Sequence, residues 1–393
     1  MPRSLRLLTL GHSYTVTANR ALAHAVQRVF GSAWTVEVAA PAAFAAGRDL
    51  RATTLSVPAG ESVAVHGLAA YNTRQIHTFC YGRRLKALLA DNWDLVHCWQ
   101  EPYTLAGAQV AYWTPPSTRL VFRSAQSLDK WYPPPFRNFE RYTLRRSAGW
   151  ICSGYTVEQN LLGRPGYAEK PYARIPLGVD TQRFRPSSSA RGVVRRRPGW
   201  GDVGPPVVGF LGRFVPEKGL DLLTTALDGL RTPWRALLVG AGPMEPQLRA
   251  WAGRHGDAVR VCTDVTHDQV PPYLAAMDVM ASPSQTTRHW REQFGRMLVE
   301  AFATGLPVVG SDSGEIPHVL GATGVVVPER DSGAWSEELG KIIDNQSHRL
   351  RLGEEGRARA LAEFAWPVVA ELHCRFFEEI LDAPRILRRA AAA

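Results

Sequence analysis

The chain has few cysteines, no CxxC pair and no apolar run near the roughly 18 to 20 residues that a membrane-crossing helix needs. Cys80, Cys98, Cys152, Cys262 and Cys374 are odd in number and scattered. That pattern points to free buried thiols in a reducing cytoplasm rather than to disulfides or a zinc site. The short apolar stretch behind the basic Met1-Pro-Arg-Ser-Leu-Arg ends at Gly11, with His12 and Ser13 next. It reads as a first strand and turn, not as a signal peptide. A cytoplasmic place is therefore expected. Zinc-finger spacings and the aromatic motif of RNA-recognition modules are also absent, so the net charge of +10 does not point to nucleic acid. A phosphate-bearing substrate, an anionic membrane surface or solubility alone accounts for that surplus.

What is present is a repeating rhythm. Leu5–Leu10, Thr35–Ala39, Leu95–Cys98, Leu120–Phe122 and Trp150–Ser153 read as short strands, each followed by a turn or a helical stretch. Val207–Leu211, Ala236–Gly240, Val259–Cys262, Val279–Ser282, Val308–Gly310 and Val325–Val327 repeat the pattern in the second half. Short continuous apolar strands alternating with helices imply parallel sheets covered on both faces, an α/β protein. At 393 residues, 45% hydrophobic, the chain suffices for two such cores. The expected layout is a Rossmann-like domain over residues 1–185, a linker over 186–206 and a second Rossmann-like domain over 207–365. The final stretch, 366–393, is expected to form a helix packing back across the halves. The linker carries Arg-Pro-Ser-Ser-Ser, the basic run Arg195-Arg196-Arg197 and Gly/Pro turns. Two doubly wound halves joined there are expected to face each other across a cleft, with ligands beyond the carboxyl ends of their strands.

The densest signal is Arg291-Glu292-Gln293-Phe294-Gly295-Arg296-Met297-Leu298-Val299-Glu300, followed by Ala301-Phe-Ala-Thr-Gly305-Leu-Pro-Val-Val309. A polar loop leads into Glu292, Gly295 permits close backbone approach, and a helix starts near Arg296 and ends at Gly305. The free N–H groups and positive end of that helix suit a diphosphate. Glu292 before the helix and Glu300 about two turns into it then reach different parts of one elongated ligand. Upstream, Arg213 and Lys218 follow an apolar strand in a loop bounded by Gly212 and Gly219, two cations suited to an anion.

This segment resembles the donor-binding motif of the family 4 retaining glycosyltransferases. Gly212-Arg213-Phe-Val-Pro-Glu-Lys218-Gly219, Leu237-Leu-Val-Gly240-Ala-Gly242-Pro243, Ser311-Asp-Ser-Gly314-Glu-Ile-Pro317 and Ile175-Pro-Leu-Gly178-Val-Asp180 are similar to further motifs of that family. The resemblance covers nearly the whole C-terminal half and implies the fold with two facing Rossmann-like domains called GT-B. It implies a retaining transfer of a sugar from a UDP- or GDP-type donor to a glycan, lipid-linked or small-molecule acceptor, as in polysaccharide biosynthesis. Carried over position by position, Arg213 and Lys218 bind the diphosphate and stabilise the leaving group. Glu292 bonds the donor sugar, Gly295, Arg296 and Met297 offer backbone contacts flanked by Phe294 and Leu298, and Glu300 takes the ribose hydroxyls. Gly11, Gly212 and Gly242 line the approach, and Val265 after Asp264 falls where the family contacts the base. Asp-x-Asp occurs nowhere, so neither an essential divalent metal nor any other cofactor is expected.

The N-terminal half departs from the family. Many members carry a histidine after the fourth strand; here the run is Val121-Phe122-Arg123-Ser124-Ala125-Gln126. Arg123, His12 in the first strand-to-helix turn and Glu101 beyond a buried strand are the candidates in its place. Glu101 suits acceptor hydroxyls or proton removal, or equally a surface salt bridge. His97, inside an apolar strand, reads as a core histidine. Trp99, Trp131 and Tyr132 serve either sugar stacking or core packing. Arg137, Arg141 and Arg145 recur every four residues, with Arg146 adjoining. Such a stripe serves a peripheral place on the inner face of an anionic membrane or simply faces water. Two other readings stand beside the transferase. One is a nucleotide-sugar epimerase or hydrolase on the same fold; the other is a non-catalytic nucleotide-sugar-binding protein.

Overall fold

The computed structural model of the chain describes residues 4–45, 52–196, 200–201 and 204–383. Met1-Pro-Arg, Arg197 and the last ten positions of the expected C-terminal helix lie outside these residues. The chain divides into two compact units. The first comprises Met1–Cys152, Leu161–Ile175 and Val369–Ala393; the second comprises Ser153–Asn160 and Pro176–Val368.

The first unit holds a seven-stranded parallel sheet: β1 (Leu5–Leu10), β2 (Trp34–Pro41), β3 (Ala64–Leu68), β4 (Leu95–Cys98), β5 (Arg119–Ser124), β6 (Gly149–Cys152) and β7 (Tyr172–Arg174). Their spatial order is β7-β6-β5-β4-β1-β2-β3. The second unit holds a six-stranded parallel sheet: β8 (Val207–Leu211), β9 (Arg235–Val239), β10 (Val259–Cys262), β11 (Val279–Ser282), β12 (Val308–Ser311) and β13 (Val325–Val327). Its order is β10-β9-β8-β11-β12-β13. Counted within the unit this is 3-2-1-4-5-6, the doubly wound order of dinucleotide-binding sheets.

Alternate residues of each strand feed opposite cores, which explains the unbroken apolar runs. In β8 and β9, Val207, Leu237 and Val239 join one cluster while Val208, Phe210, Ala236 and Leu238 join the other. Sequence position then decides where ligands are met. In each unit the strand order reverses once, between β1 and β4 in the first and between β8 and β11 in the second, and the loops after those strands flank the switch point.

Five helices matter below: α1 (Phe136–Arg146), α2 (Tyr155–Leu162), α3 (Ser188–Arg195), α4 (Arg296–Ala303) and α5 (Trp366–Asp382). Two depart from the expected layout. The segment 186–206, expected as a linker, contains α3 as part of the second unit. Of its described basic side chains, Arg191 and Arg195 are tied to Asp278 while Arg196 is exposed. Arg195 is fully buried and donates to Asp278 Oδ2 at 2.5 Å and to the Ala276 carbonyl at 2.9 Å. Arg191 reaches Asp278 Oδ1 at 2.7 Å, and the Val207 N–H, heading β8, donates to Oδ2 at 2.7 Å. Helix α5 runs back from residue 369 into the first unit, where Phe376, Phe377 and Ile380 are buried. The chain also crosses between units within α2, so the first unit does not end at a single boundary near residue 185.

β3 was not legible because Ala64-Val-His-Gly-Leu is an edge strand of which only Leu68 is buried, with His66 and Gly67 interrupting its apolar residues. The cysteines are all free: Cys98, Cys152 and Cys374 are buried and Cys80 and Cys262 half-buried.

Asp278 gives a stability test. Burial opposes its ionisation, yet Arg195, Arg191 and the Val207 N–H together hold its carboxyl below the usual carboxylate range. A depressed folded pKa contributes stability above the unfolded value of about 3.9 and loses it as pH falls through the folded value. Asp278→Asn leaves Arg195 buried without a counter-charge, at a cost of about 3 kcal/mol at neutral pH. Urea unfolding from pH 7 down to pH 3 should show that deficit narrowing towards acid. A variant within about 0.5 kcal/mol of the parent at pH 7 would remove Asp278 from this role.

Candidate functional site

In the second unit the loops after β8 and β11 bring together residues far apart in sequence. Lys218 ends a short turn, Pro216–Lys218, and Gly219 follows at φ 69° and ψ 27°, the left-handed region. A Cβ there would lie 1.8 Å from the Pro283 carbonyl oxygen, so only glycine lets the two loops close on each other. The closure sets Lys218 Nζ 2.5 Å from Glu292 Oε2 and 4.9 Å from the centre of the Trp290 ring. Ser284 Oγ donates to the same Glu292 oxygen at 3.2 Å. Lys218 and Glu292 are both buried.

Glu292 is clamped through its backbone as well. Its carbonyl accepts from the Glu315 N–H at 3.0 Å, and Gly314, at φ +58°, presses so closely that a Cβ would sit 2.1 Å from that oxygen. Glu315, itself buried, receives the N–H groups of Tyr155 (2.7 Å) and Thr156 (2.8 Å) and the Thr156 hydroxyl (2.6 Å). It thereby satisfies the first turn of α2, a helix end otherwise left with unpaired donors.

Helix α4 begins after Gly295, which adopts φ 79° and ψ 68° and offers no side-chain cap. Its leading N–H groups at Arg296 and Met297 have no carbonyl a turn before them within the helix, which favours an anion. Glu300 lies in the second turn, buried, with Oε1 2.9 Å from His267 Nε2. Burial lowers the Arg296 pKa, opposed by the charge of Glu300 one turn on. Phe294 and Leu298 put their side chains into the core, so only their backbone is available to a ligand. Val265 also packs partly on that core. Gly212 and Gly242 belong to neighbouring turns that hold each other, Phe214 N–H donating to the Ala241 carbonyl at 2.8 Å. Arg213 does not join Lys218. Its side chain is half exposed and loosely paired with Glu217 at 3.8 Å.

The first unit arranges its own candidates at its switch point. The Gly11 N–H donates to the Ala39 carbonyl at 3.1 Å, and Trp99 N–H donates to the Leu10 carbonyl at 2.7 Å. His12 Nδ1 lies 2.9 Å from Gln100 Oε1, and Gln100 Nε2 donates to the Tyr81 hydroxyl at 2.9 Å. That network puts the His12 proton on Nδ1. Packing against Phe44, at 4.7 Å between ring centres, and the accompanying burial push its pKa down, so the ring is neutral with a lone pair on Nε2. Burial pushes the Glu101 carboxyl up, against the Ser124 hydroxyl at 2.6 Å and the Ala125 N–H at 2.7 Å that its two oxygens accept. Glu101 thus braces the loop after β5.

Arg123 is buried beneath Trp99, 4.6 Å from the ring centre. It donates to the Ile175 carbonyl at 2.8 Å and lies 3.2 Å from His373 Nε2 of α5. His97 is a core histidine, as its strand position implied, with Nδ1 3.0 Å from the Thr9 hydroxyl. Tyr132 stacks on Tyr103 at 4.1 Å, whereas Trp131 is exposed. Glu140 does not pair within its helix; it takes both Arg164 (3.0 and 2.7 Å) and the Tyr167 hydroxyl (3.1 Å).

Sequence reasoning passed over His267, Ser284 and Trp290, and included Glu315 in a motif without giving it a role. The one local signal was His267's place two residues after Val265, inside the capping box formed by Thr266 and Gln269.

Chemically, the second unit offers one cation, two carboxylates and a helix N-terminus around a switch point, a seat for an anionic, hydroxyl-rich ligand. Residues 205–345 match the family model described as glycosyl transferases group 1. The chain is 35% identical over 205 residues to a GDP-mannose-dependent alpha-(1-6)-phosphatidylinositol monomannoside mannosyltransferase of Mycobacterium tuberculosis, covering 50% of this chain and 53% of that one. It is 33% identical over 238 residues to the enzyme of Corynebacterium glutamicum named for the monoacylated monomannoside, covering 59% and 58%. The chain thus spans little more than half the length of these curated relatives. In fold it is similar to sucrose-phosphate synthase from Thermosynechococcus elongatus, with a TM-score of 0.72, 18% identity and coverage of 97% and 100%. A glycosyltransferase from Rickettsia africae gives 0.73, 15%, 97% and 100%. Residues 205–345 are thus similar in sequence to the group 1 glycosyl transferases, and the chain carries the two-domain GT-B fold.

Proposed function

We propose that this protein transfers a sugar from a nucleoside diphosphate sugar to an acceptor hydroxyl, with retention at the sugar carbon. The observation that carries this reading is the Lys218–Glu292 contact beside the N-terminus of α4, with Glu300 farther along the helix. The diphosphate sits on the α4 N–H groups and Lys218, Glu292 receives the sugar hydroxyls, and Glu300 receives the ribose. The names of the relatives make GDP-mannose the first donor to test. The acceptor is a glycan, a lipid-linked molecule or a small polyol.

In the reaction the bond from the sugar carbon to the diphosphate oxygen breaks and a bond to the acceptor oxygen forms on the same face. The acceptor proton passes to the leaving diphosphate, so no protein nucleophile is required. Lys218 and the helix end stabilise the charge that grows on the leaving group, and Arg213 joins them once a ligand draws it from Glu217. His12, neutral and carrying a lone pair on Nε2, together with Glu101 in its brace, belongs to the acceptor side. Release of nucleoside diphosphate from GDP-mannose in the presence of acceptor tests the activity. Equal release without any acceptor would indicate hydrolysis instead.

We further propose peripheral attachment to an anionic membrane. Arg137, Arg141 and Arg145 are exposed along α1, and Trp131 and Tyr112 are 74% and 72% exposed. Arg146 is excluded from this surface, since it donates to the Ala111 and Thr114 carbonyls at 3.3 and 2.8 Å. Among the described residues no helix is long and apolar enough to cross a membrane.

Three outcomes follow. Because Lys218 and the leading N–H groups of α4 serve the diphosphate in this reading, excess chelator should leave the initial rate nearly unchanged; a tenfold loss restored by magnesium or manganese contradicts this.

Vesicles containing phosphatidylglycerol should bind the protein less as salt rises, since exposed charges are screened within about 8 to 10 Å. The triple variant R137Q/R141Q/R145Q should bind less again, and binding indifferent to both changes assigns the stripe to water.

Roles at the donor site separate by kinetics. Lys218→Ala should lower turnover by roughly 30- to 1000-fold, whereas Glu300→Gln should mainly weaken donor binding. Glu292→Ala should spare binding of the bare nucleoside diphosphate while damaging transfer. Calorimetric titration beside steady-state rates decides. Parent turnover in Lys218→Ala, or loss of diphosphate binding in Glu292→Ala alone, would misplace the donor.

A further inference from the structure

Glu300 needs more than its place on α4 to serve a ribose. A carboxylate has about four acceptor positions, and a side chain free to rotate presents them in no fixed direction. Here one oxygen is held. His267 Nε2 lies 2.9 Å from Glu300 Oε1, and the histidine comes from the loop after β10, not from α4. That loop is itself immobilised. The Thr266 N–H and hydroxyl both donate to Gln269 Oε1, at 3.0 and 3.1 Å. Arg183 donates to the His267 carbonyl at 2.7 Å and pairs with the neighbouring Asp268 at 3.0 Å, and the Phe184 ring centre lies 5.9 Å from that of His267.

The other ring nitrogen fixes the direction of the bond. Nδ1 is buried and has no hydrogen-bond partner among the described residues. A proton there would be an unsatisfied buried donor, which is costly, whereas an unused lone pair is tolerated better. The proton therefore sits on Nε2, and the histidine donates to Glu300.

We propose that His267 is a positioning residue of the donor site, fixing the Glu300 carboxylate so that its remaining acceptor positions meet the vicinal hydroxyls of the nucleotide ribose. This rests on the reading of Glu300 as the ribose ligand. The competing partner shows what His267 prevents. Arg296 lies four residues before Glu300 on the same helix, at the spacing where side chains meet, and a carboxylate released from His267 turns towards that guanidinium and away from a ligand.

The test is discrimination of ribose from its deoxygenated form, a readout that loss of fold stability does not move. Calorimetry would measure dissociation constants of GDP and of 2′,3′-dideoxy-GDP, and of the UDP pair, for the parent, His267→Ala and His267→Phe. Phenylalanine fills the volume without the N–H, so one variant remains informative if the other fails to fold. The parent should prefer the ribose form by about tenfold or more, as expected when hydrogen bonds to a charged group are lost. Both variants should retain no more than about threefold of that preference. Variants that discriminate as the parent does would overturn the role of His267 while leaving Glu300 at the ribose. A parent that binds a diphosphate but does not discriminate would overturn the ribose reading and this inference with it. No binding of either diphosphate would overturn the nucleotide-sugar reading itself.

Discussion

The buried contact between Lys218 and Glu292 is the constraint around which the second unit is arranged. Removing two charges from water costs several kcal/mol per ion, and mutual attraction repays this only with good geometry and further hydrogen bonds. The pair has one such bond, from Ser284, and a ring face at Trp290. By those magnitudes it is no large source of stability. Its significance is that the cost of desolvating a cation and a carboxylate is met during folding. On the proposed function, a ligand carrying phosphate and hydroxyls then meets charges already placed at the switch point. The left-handed Gly219 against the Pro283 carbonyl and Gly314 against the Glu292 carbonyl hold both partners there.

The first unit uses buried polar groups differently. Arg123, His373, His97 and Thr9 are turned inward, one set joining β5 to α5 and the other joining β4 to β1. With His97 and His373 both held well below the ordinary histidine range by burial and by the nearby Arg123, these rings are neutral parts of the core. What faces the loops beyond the strands is His12, supported by Gln100, and the Glu101 brace. Arg123 is thus bound within the core of this half, and its polar groups nearest the loops belong to the turns after β1 and β4.

Much of this was legible in the sequence because it is local. Apolar runs of strand length gave eleven of the strands' positions to within a few residues, and Gly295 before an amphipathic stretch marked α4. The Glu292–Glu300 spacing placed one carboxylate before the helix and one on it. What stayed hidden depends on strand order. Lys218 and Glu292 are 74 residues apart, and Glu315 lies 160 residues from the helix end that it caps. Those meetings follow from β8 lying beside β11 and from the chain's double crossing between units. Composition misled once: the Arg/Ser/Pro-rich stretch read as a linker forms α3 because Asp278 supplies a buried counter-charge that no local pattern announces.

In the proposed function the second unit seats a diphosphate between Lys218 and the first turn of α4. A crystal structure with GDP bound measures this most directly. Phosphate oxygens should lie within about 3 Å of Lys218 Nζ and of the leading α4 N–H groups, with the lysine drawn from Glu292 and the ribose on Glu300. Phosphates seated elsewhere, with the Lys218–Glu292 contact intact, would contradict it.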